Sequence, residues 1–169
     1  MNRTQMPISA QQLIQQLQLI PHPEGGYYRE TFRCNEIIHF NENTVRSAAT
    51  AIYYLLSDNE ISHLHRIKSD EIWFHLAGEP LEIVELSNSG KLTIHTIGLD
   101  QDLQILPQHI VRAHTWFGAR VKDYSGFSLV SCVVAPGFDF ADFEMADRNE
   151  LQKLYPALSR ELEQLCIQP

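Results

Sequence analysis

Two histidines and a glutamate that could do chemistry together lie close in the middle of the sequence. His63 and His65 are separated by one residue, Glu71 follows six positions later, and Trp73 and His75 continue at a spacing of two. Alternate residues of a strand point to the same side. We therefore expect His63 and His65 to share one face, and Glu71, Trp73 and His75 to share a face of the next strand.

This cluster supports two kinds of chemistry. In the first, His65 is a base and Glu71 is its partner, because a neighbouring carboxylate orients an imidazole and sets its pKa. Proton abstraction beside a carbonyl, as in an epimerase or isomerase, is the reaction class that such a pair supports. In the second, His63, His65 and Glu71 bind a divalent transition metal. A solvated strand face without function is the third interpretation, and it stays open here.

The elements that must position these residues are mostly short strands. Between residues 25 and 143, runs rich in Val, Ile, Thr and aromatic residues alternate with turn residues. No helical pattern separates the strands, which excludes a doubly wound parallel sheet and predicts a sandwich or barrel. The predicted strands cover residues 27–32, 47–56, 72–77, 81–86, 92–97, 109–113, 115–119 and 127–135.

Helices are predicted only near the two ends of the chain. Ser9 can cap a short helix that ends before Pro21, which gives an N-terminal helical segment over residues 1–21. A closing pair of helices is predicted over residues 147–165, with a break at Pro156. The organisation expected is a single domain over residues 1–169, with the barrel between residues 25 and 143.

Composition limits the partners and the compartment. The chain has 169 residues, a formal net charge of −8 and a pI of about 5.4. An acidic surface repels phosphate groups, so neither nucleic acid nor an anionic membrane is expected as a partner. Three cysteines without a CxxC pair indicate no disulfide framework, and no apolar run is long enough to span a bilayer. A cytoplasmic location is therefore expected.

Four blocks of sequence resemble one uncharacterised branch of the cupin superfamily. They are HPEGGYYRETFR at residues 22–33, AIYYLLS at 51–57, HRIKSDEIW at 65–73 and VAPGFDFADFE at 134–144. The resemblance covers most of the chain in the right order. It implies an all-β double-stranded β-helix, a jelly-roll barrel with a ligand cavity, usually in a homodimer. The implied fold is similar to that of dTDP-4-keto-6-deoxyglucose 3,5-epimerases.

The resemblance also suggests residues that contact a ligand. Arg29 becomes a candidate anchor for an anion or a carbonyl group, because a guanidinium recognises such oxygens well. Trp73 is a candidate for the cavity wall because it shares the face of Glu71. The full set of expected substrate-binding residues is Arg29, His63, Trp73, His75 and Trp116, beside the catalytic pair His65 and Glu71.

A metal is implied by the superfamily, but this sequence departs from the superfamily's ligand pattern. His63, His65 and Glu71 would be three of the four ligands. The fourth, a histidine, aligns with Phe117, and five residues separate His65 from Glu71 where three or four are usual. Phenylalanine cannot coordinate a metal, so weak or absent metal occupancy is expected.

Three functions follow from this reading. The first is an enzyme that acts on a small polar metabolite, such as a carbohydrate derivative, through a His–Glu acid/base pair. The alternatives are a metal-dependent oxygenase or isomerase and a module that binds or senses a metabolite without turnover. Besides the metabolite, a second copy of the chain is an expected partner, because residues 72–76 and 127–134 are apolar on both faces.

Overall fold

Two antiparallel sheets make up most of the computed structural model, which describes residues 8–41, 43–99 and 105–167. The strands are β1 (Ile20–Pro21), β2 (Tyr27–Arg33), β3 (Ile37–Asn41), β4 (Thr44–Ser47), β5 (Thr50–Ser57), β6 (Ile61–Arg66), β7 (Asp70–Gly78), β8 (Leu81–Leu86), β9 (Leu92–Ile97), β10 (Gln108–Val111), β11 (Trp116–Val121), β12 (Phe127–Ala135) and β13 (Glu144–Met145). The α-helices are α1 (Ala10–Gln16), α2 (Arg148–Leu154) and α3 (Ser159–Leu165).

The strand order is that of a jelly roll. The six-stranded sheet has the order β1-β2-β5-β12-β7-β10, and the five-stranded sheet has the order β13-β6-β11-β8-β9. Strands β3 and β4 form a separate two-stranded ribbon. The two large sheets pack face to face as a sandwich, with apolar side chains of both inner faces in contact. The predicted all-β jelly-roll fold is confirmed.

Three apolar layers hold the elements together. Between the sheets, Trp73, Tyr54 and Phe117 are the largest of the fully buried side chains. The C-terminal helices cover the outer face of the five-stranded sheet through Leu162 and its neighbours. Helix α1 covers part of the outer face of the six-stranded sheet through Leu13. Burial of this apolar surface is the main favourable term in folding.

Helix α1 begins at its predicted cap. The Ser9 hydroxyl accepts a hydrogen bond from the Gln12 backbone N–H at 3.2 Å, and the Gln12 side chain accepts one from the Ser9 N–H. This is a capping box, which satisfies two N–H groups at the helix start. Residues 1–7 of the predicted N-terminal segment lie outside the described residues. None of the described helices is long and apolar enough to cross a membrane.

Two β-bulges change which side chains face the interior. The pairing of β6 with β11 shifts between Phe117 and Ala119, so that two residues of β6, His63 and Leu64, lie opposite one residue of β11, Gly118. The pairing of β2 with β5 shifts between Glu30 and Phe32. A bulge adds one residue to a strand and reverses the faces of the residues beyond it.

Candidate active site

A cavity of about 320 Å³ opens between the two sheets. Its interior end is polar and its mouth is aromatic. Cavities that bind small molecules usually measure roughly 300–1,000 Å³, with a few polar groups among apolar walls. Its interior is lined by His22, Glu24, Tyr54, His65, Glu71, Trp73 and Cys132. Its mouth is lined by Tyr28, Glu30, Arg33, Phe138, Asp139, Phe140 and Phe143.

Glu24 and His65 form the central polar contact of the cavity. Both are almost fully buried, with exposed fractions of 5% and 2%, and Glu24 Oε2 lies 3.2 Å from His65 Nε2. His65 Nδ1 lies 2.8 Å from the His63 carbonyl oxygen. Because a carbonyl oxygen only accepts, we assign the Nδ1 proton to that bond. Nε2, the other ring nitrogen, faces the Glu24 carboxylate.

The segment around Glu24 is held against β6 so that its carboxylate reaches His65. The Ser62 hydroxyl donates to Glu24 Oε1 at 2.8 Å. The backbone N–H and the Nδ1–H of His63 both donate to the Glu24 carbonyl oxygen. Gly25 has a φ of +113°, and a Cβ there would collide with the Ile61 carbonyl oxygen. Glycine at this position lets the loop approach the strand closely enough to place Glu24.

His22 is a neutral neighbour of the same carboxylate. Its Nδ1 accepts a hydrogen bond from the Glu24 backbone N–H at 3.3 Å and lies 3.3 Å from Glu24 Oε2. Burial lowers the pKa of His22, and the charge of Glu24 opposes that shift only in part. The ring packs edge-on against Tyr28, with centroids 4.5 Å apart.

Glu71 is a protonated carboxylic acid at neutral pH. Burial, and after it the negative charge of Glu24, raises the pKa of Glu71 to about 8. The Trp73 indole and the Cys132 thiol lie beside it and lower the pKa by smaller amounts. The Trp73 Nε1–H forms no well-aligned hydrogen bond to any described residue, so its effect on Glu71 is that of a nearby dipole. A neutral carboxyl in this position can donate a proton to a ligand oxygen.

Two further titratable groups stay neutral. Burial raises the pKa of the Tyr54 hydroxyl well above its usual value, and this hydroxyl donates to the Gly25 carbonyl oxygen at 2.8 Å. Burial, and in addition the charge of Glu24, likewise raises the pKa of the Cys132 thiol. A thiol is a weak nucleophile compared with its thiolate. The interior therefore favours proton transfer over nucleophilic attack by sulfur.

The mouth of the cavity is aromatic and fastened by ion pairs. Phe138, Phe140 and Phe143 contact one another, with ring centroids 5.0–6.0 Å apart. Asp142 binds the Arg46 guanidinium through two contacts of 2.6 and 3.0 Å and the Lys68 ammonium at 3.0 Å. These pairs tie the segment that carries the phenylalanines to β4 and to the turn between β6 and β7.

Three of the predicted site residues lie together in the cavity. His65, Glu71 and Trp73 all line it, as the alternation along β7 predicts for the last two. His65 is paired with Glu24, however, so the predicted contact between His65 and Glu71 is replaced by one with a residue from the loop before β2.

The predicted shared face of His63 and His65 is wrong. The bulge in β6 puts His65 and Ser62 on the inner face, while Leu64 packs under the C-terminal helices. His63 does not line the cavity, and both of its N–H groups hold the Glu24 backbone. Gly118 accommodates the bulge across the strand pair, because a Cβ there would lie 2.5 Å from the Ser62 carbonyl oxygen.

Arg29 is also displaced from its predicted place. Its side chain lies on the outer side of β2 and donates to the Gln18 side chain at 3.4 Å. The bulge after Glu30 turns Arg33 inward, where it binds Glu30 and the Phe138 carbonyl oxygen at the mouth. The predicted arginine at the mouth is thus Arg33, four residues along the strand.

Trp116 and His75 do not line the cavity either. Trp116 lies on the outer face of β11, where the Arg66 guanidinium stacks 4.3 Å from its ring centroid. His75 faces inward, but it lies about 13 Å along β7 from Glu71, at a rise of roughly 3.3 Å per residue. Its Nε2 donates to the Glu79 carbonyl oxygen at 2.9 Å.

Glu24 and His22 are the site residues that sequence reasoning missed. They lie in a loop, so no strand alternation indicates where their side chains point. The available signal was the order Pro23-Glu24-Gly25-Gly26, in which an acidic residue sits between a proline and two glycines that fix a close turn. The phenylalanines of residues 138–143, which follow the last long strand, also form part of the cavity.

The ligand set of the superfamily's metal does not fit this cavity. His63 is outside it, Phe117 packs against the His65 ring with centroids 4.2 Å apart, and His65 Nε2 faces Glu24. Among residues 8–41, 43–99 and 105–167, the one group of three His, Cys, Asp or Glu residues with ligand atoms within 4.8 Å of one another is Glu85, His95 and His109, which lies elsewhere.

Comparison with known proteins places the fold and the sequence in one family. A family model described as "Cupin superfamily (DUF985)" matches residues 11–146. A hypothetical protein from Leishmania major has 35% sequence identity, a TM-score of 0.88 and coverage of 95% of this chain and 100% of its own. Protein SO0799 from Shewanella oneidensis has 36% identity and a TM-score of 0.87, over 96% and 100% of the two chains.

A relative among curated proteins gives the same result. The uncharacterized protein YML079W from Saccharomyces cerevisiae is 31% identical over 163 residues, which cover 88% of this chain and 81% of that protein. The chain therefore belongs to the cupin superfamily, in the branch described as DUF985.

Proposed function

We propose that the protein is an isomerase that binds a small uncharged polyhydroxy carbonyl compound and moves a proton between the carbonyl carbon and its neighbour. The observation that supports this most directly is the buried contact of 3.2 Å between His65 Nε2 and Glu24 Oε2 at the cavity wall. A carboxylate that orients an imidazole makes an effective acid/base group near neutral pH. A second, neutral carboxyl in the same cavity, that of Glu71, supplies the acid for the carbonyl oxygen.

The reaction balances with these two groups. The His65–Glu24 pair, with His65 Nε2 unprotonated, takes the proton from the carbon beside the carbonyl. The electron pair of that C–H bond forms the C=C bond of an enediol, while Glu71 donates its proton to the carbonyl oxygen. The pair then returns its proton to the former carbonyl carbon, and Glu71 takes the proton of the neighbouring hydroxyl as the new carbonyl forms.

One acid/base pair favours isomerisation over epimerisation. An epimerase needs a proton donor on the opposite face of the carbon, and the other titratable groups of the described interior are less suited to that role. The Tyr54 hydroxyl is bonded to the Gly25 carbonyl oxygen, and His22 Nδ1 accepts the Glu24 N–H. In an isomerisation, the proton moves between adjacent carbons on one face of the substrate, so a single acid/base pair is sufficient.

The charges around the cavity favour an uncharged substrate. Glu24, Glu30 and Asp139 line it, and the arginine among the described lining residues, Arg33, is bound to Glu30. A phosphorylated compound would meet carboxylates without a free cation, which disfavours it. The aromatic mouth suits the C–H faces of a polyhydroxy chain or ring, and the polar interior suits its oxygens.

The test is hydrogen exchange at carbon in D₂O. The protein is incubated with a panel of small hydroxy aldehydes and hydroxy ketones, each with its phosphorylated counterpart, and deuterium incorporation beside the carbonyl is followed by NMR. We expect exchange with at least one unphosphorylated compound and a loss of about 10²–10⁴-fold in His65→Asn. Trp116→Phe, a change on the outer face, should leave the rate unchanged.

Two results would contradict the proposal. Binding of a compound without exchange in the wild-type protein would indicate a binding or sensing module. Faster exchange with the phosphorylated counterparts would show that the substrate class is wrong while the proton transfer is right.

A further inference from the structure

A second group of ligating side chains lies outside the cavity and has no part in the proposed isomerase. Glu85 on β8, His95 on β9 and His109 on β10 meet at the open side of the sandwich. His109 Nε2 lies 2.6 Å from Glu85 Oε1, and the rings of His95 and His109 stack with centroids 4.1 Å apart and 17° between their planes.

The strands themselves bring these side chains together. Glu85 follows the inward-facing Leu81 and Ile83 at a spacing of two, so it also faces inward. His95 pairs with Ile83 across β8 and β9, and His109 pairs with Trp73 across β7 and β10. The three residues therefore come from strands of both sheets in fixed register, and their meeting does not depend on a loop.

The three donors match a transition metal in type and in spacing. Two imidazoles and a carboxylate are the ligands of many catalytic zinc sites. One ligand atom from each residue lies within 4.8 Å of the other two. Zinc bonds of about 2.0–2.1 Å put tetrahedral ligands about 3.4 Å apart, so the ligand atoms must approach by up to about 1.4 Å, and one of the stacked rings must rotate, to complete the site. The side chains of Glu85 and His109 are 22% and 20% exposed, which leaves them room for this movement.

A second cavity of about 350 Å³ adjoins the group and gives access to it. Glu85 and His95 line this cavity together with His114, an exposed residue whose φ of +66° is in the left-handed region. A metal held by three protein ligands has a fourth position for water or another donor. The cavity provides space for that ligand on the side of His114.

We infer that Glu85, His95 and His109 form a binding site for a divalent transition metal of the zinc class. The ion would replace the proton between Glu85 and His109 and would join the edge strand of one sheet to the edge of the other. The site is independent of the cavity chemistry because none of its three ligands lines the cavity that holds His65.

The experiment uses the full chain, freed of metal with a chelator, and measures Zn²⁺ binding by titration calorimetry. We expect one ion per chain, with affinity lowered at least tenfold in His95→Phe and in His109→Phe, which keep a ring at the stacked position. His39→Phe, which removes an exposed histidine of β3, should bind Zn²⁺ as the wild type does. Co²⁺ bound to the wild-type protein should show the visible absorption of a low-coordinate site.

A crystal of the wild-type protein soaked in Zn²⁺ makes the test independent of folding defects in the variants. Anomalous density between the three residues supports the inference. Density beside His65, or Zn²⁺ binding that is lost in His65→Asn and kept in His95→Phe, would overturn it in favour of a metal in the main cavity. Absence of binding by the wild-type protein at micromolar Zn²⁺ would overturn it outright.

Discussion

The main cavity and the group of Glu85, His95 and His109 at the sheet edges, here called the edge group, both pair a carboxylate with an imidazole, in different surroundings. The side chains of Glu24 and His65 are 7% and 3% exposed, whereas those of Glu85 and His109 are 22% and 20% exposed. In the cavity the second nitrogen of His65 is bound to a carbonyl oxygen, and aromatic rings surround the pair. At the edge a second imidazole stacks on the first and an open cavity adjoins it.

This difference indicates what separates proton transfer from metal binding. A buried pair suits proton transfer, because the low dielectric strengthens that one contact. A partly exposed group with three ligating side chains and access to water can exchange the proton between Glu85 and His109 for a cation. The same residue types therefore predict different chemistry according to burial and to the number of ligating side chains.

The largest expected effect compares the two glutamates. Glu24→Gln removes the carboxylate beside His65 Nε2, so we expect carbon–hydrogen exchange to fall by about 10²–10⁴-fold. Glu85→Gln should leave the exchange rate unchanged and weaken Zn²⁺ binding. NMR in D₂O and calorimetry measure the two properties on the same preparations. Equal loss of exchange in both variants would abolish the distinction between the two regions.

The next largest effect is the pH dependence of stability that the buried Glu71 carboxyl causes. The pKa of Glu71 is raised from its ordinary value to about 8, so between these values the folded protein holds a proton that the unfolded chain releases. Stability must fall as the pH rises through this window and stop falling above it. Glu71→Gln removes this contribution and should gain on the order of 3 kcal/mol relative to the wild type between pH 5 and pH 9.

Denaturant unfolding of both proteins at pH 5, 7 and 9 measures this difference. Asp142 should make stability depend on pH in the opposite direction, because Arg46, and after it Lys68, lowers the pKa of its carboxyl. Asp142→Asn should therefore lose stability relative to the wild type at neutral pH and recover it only in acid. A Glu71→Gln curve parallel to that of the wild type would show that Glu71 is ionised in the folded protein.

A smaller effect tests the turn that positions Glu24. Gly25→Ala places a side chain in a left-handed conformation against the Ile61 carbonyl oxygen, and we expect a cost of roughly 2–3 kcal/mol with loss of exchange activity. The control is Gly98→Ala, at the end of β9 near the edge group, where the nearest atom would lie at 3.3 Å and φ is not left-handed. Thermal or denaturant unfolding should show a cost below about 1 kcal/mol there.

The smallest expected effect lies on the outer face of the five-stranded sheet. Arg66→Ala removes the guanidinium that stacks on Trp116 and binds Glu144. A half-exposed contact of this kind contributes about 0.5–1 kcal/mol. Unfolding should show that loss, and both exchange at carbon and Zn²⁺ affinity should stay unchanged. A large change in either function would indicate that this face communicates with the interior.

The fold could be predicted because strand patterns, turn residues and helix caps are local features of the sequence. The Ser9 cap and the break at Pro156 lie where they were predicted. Alternation also placed Glu71 and Trp73 correctly, because β7 is regular through these residues. The predicted homodimer stays a prediction, and Leu76 and Ile110, on the outer face of the six-stranded sheet, are 43% and 40% exposed.

The site was harder to predict because two of its strands are irregular. One extra residue in β6 removed His63 from the interior, and one in β2 exchanged Arg29 for Arg33. Such a bulge leaves little mark on the hydrophobic pattern, although Gly118 opposite the β6 bulge is consistent with it. Glu24 depends on a long-range contact between a loop and β6, which no local rule supplies.

The ion pairs at Asp142 have a consequence for how fast a ligand exchanges. They fasten the aromatic mouth from two sides, through Arg46 and Lys68, whereas the groups proposed to bind the ligand lie deeper in the cavity. Added salt screens partly exposed charges such as Lys68 more than buried ones. Ligand entry and release should therefore both accelerate as ionic strength rises, while the equilibrium affinity, set in the interior by His65 and Glu24, changes little.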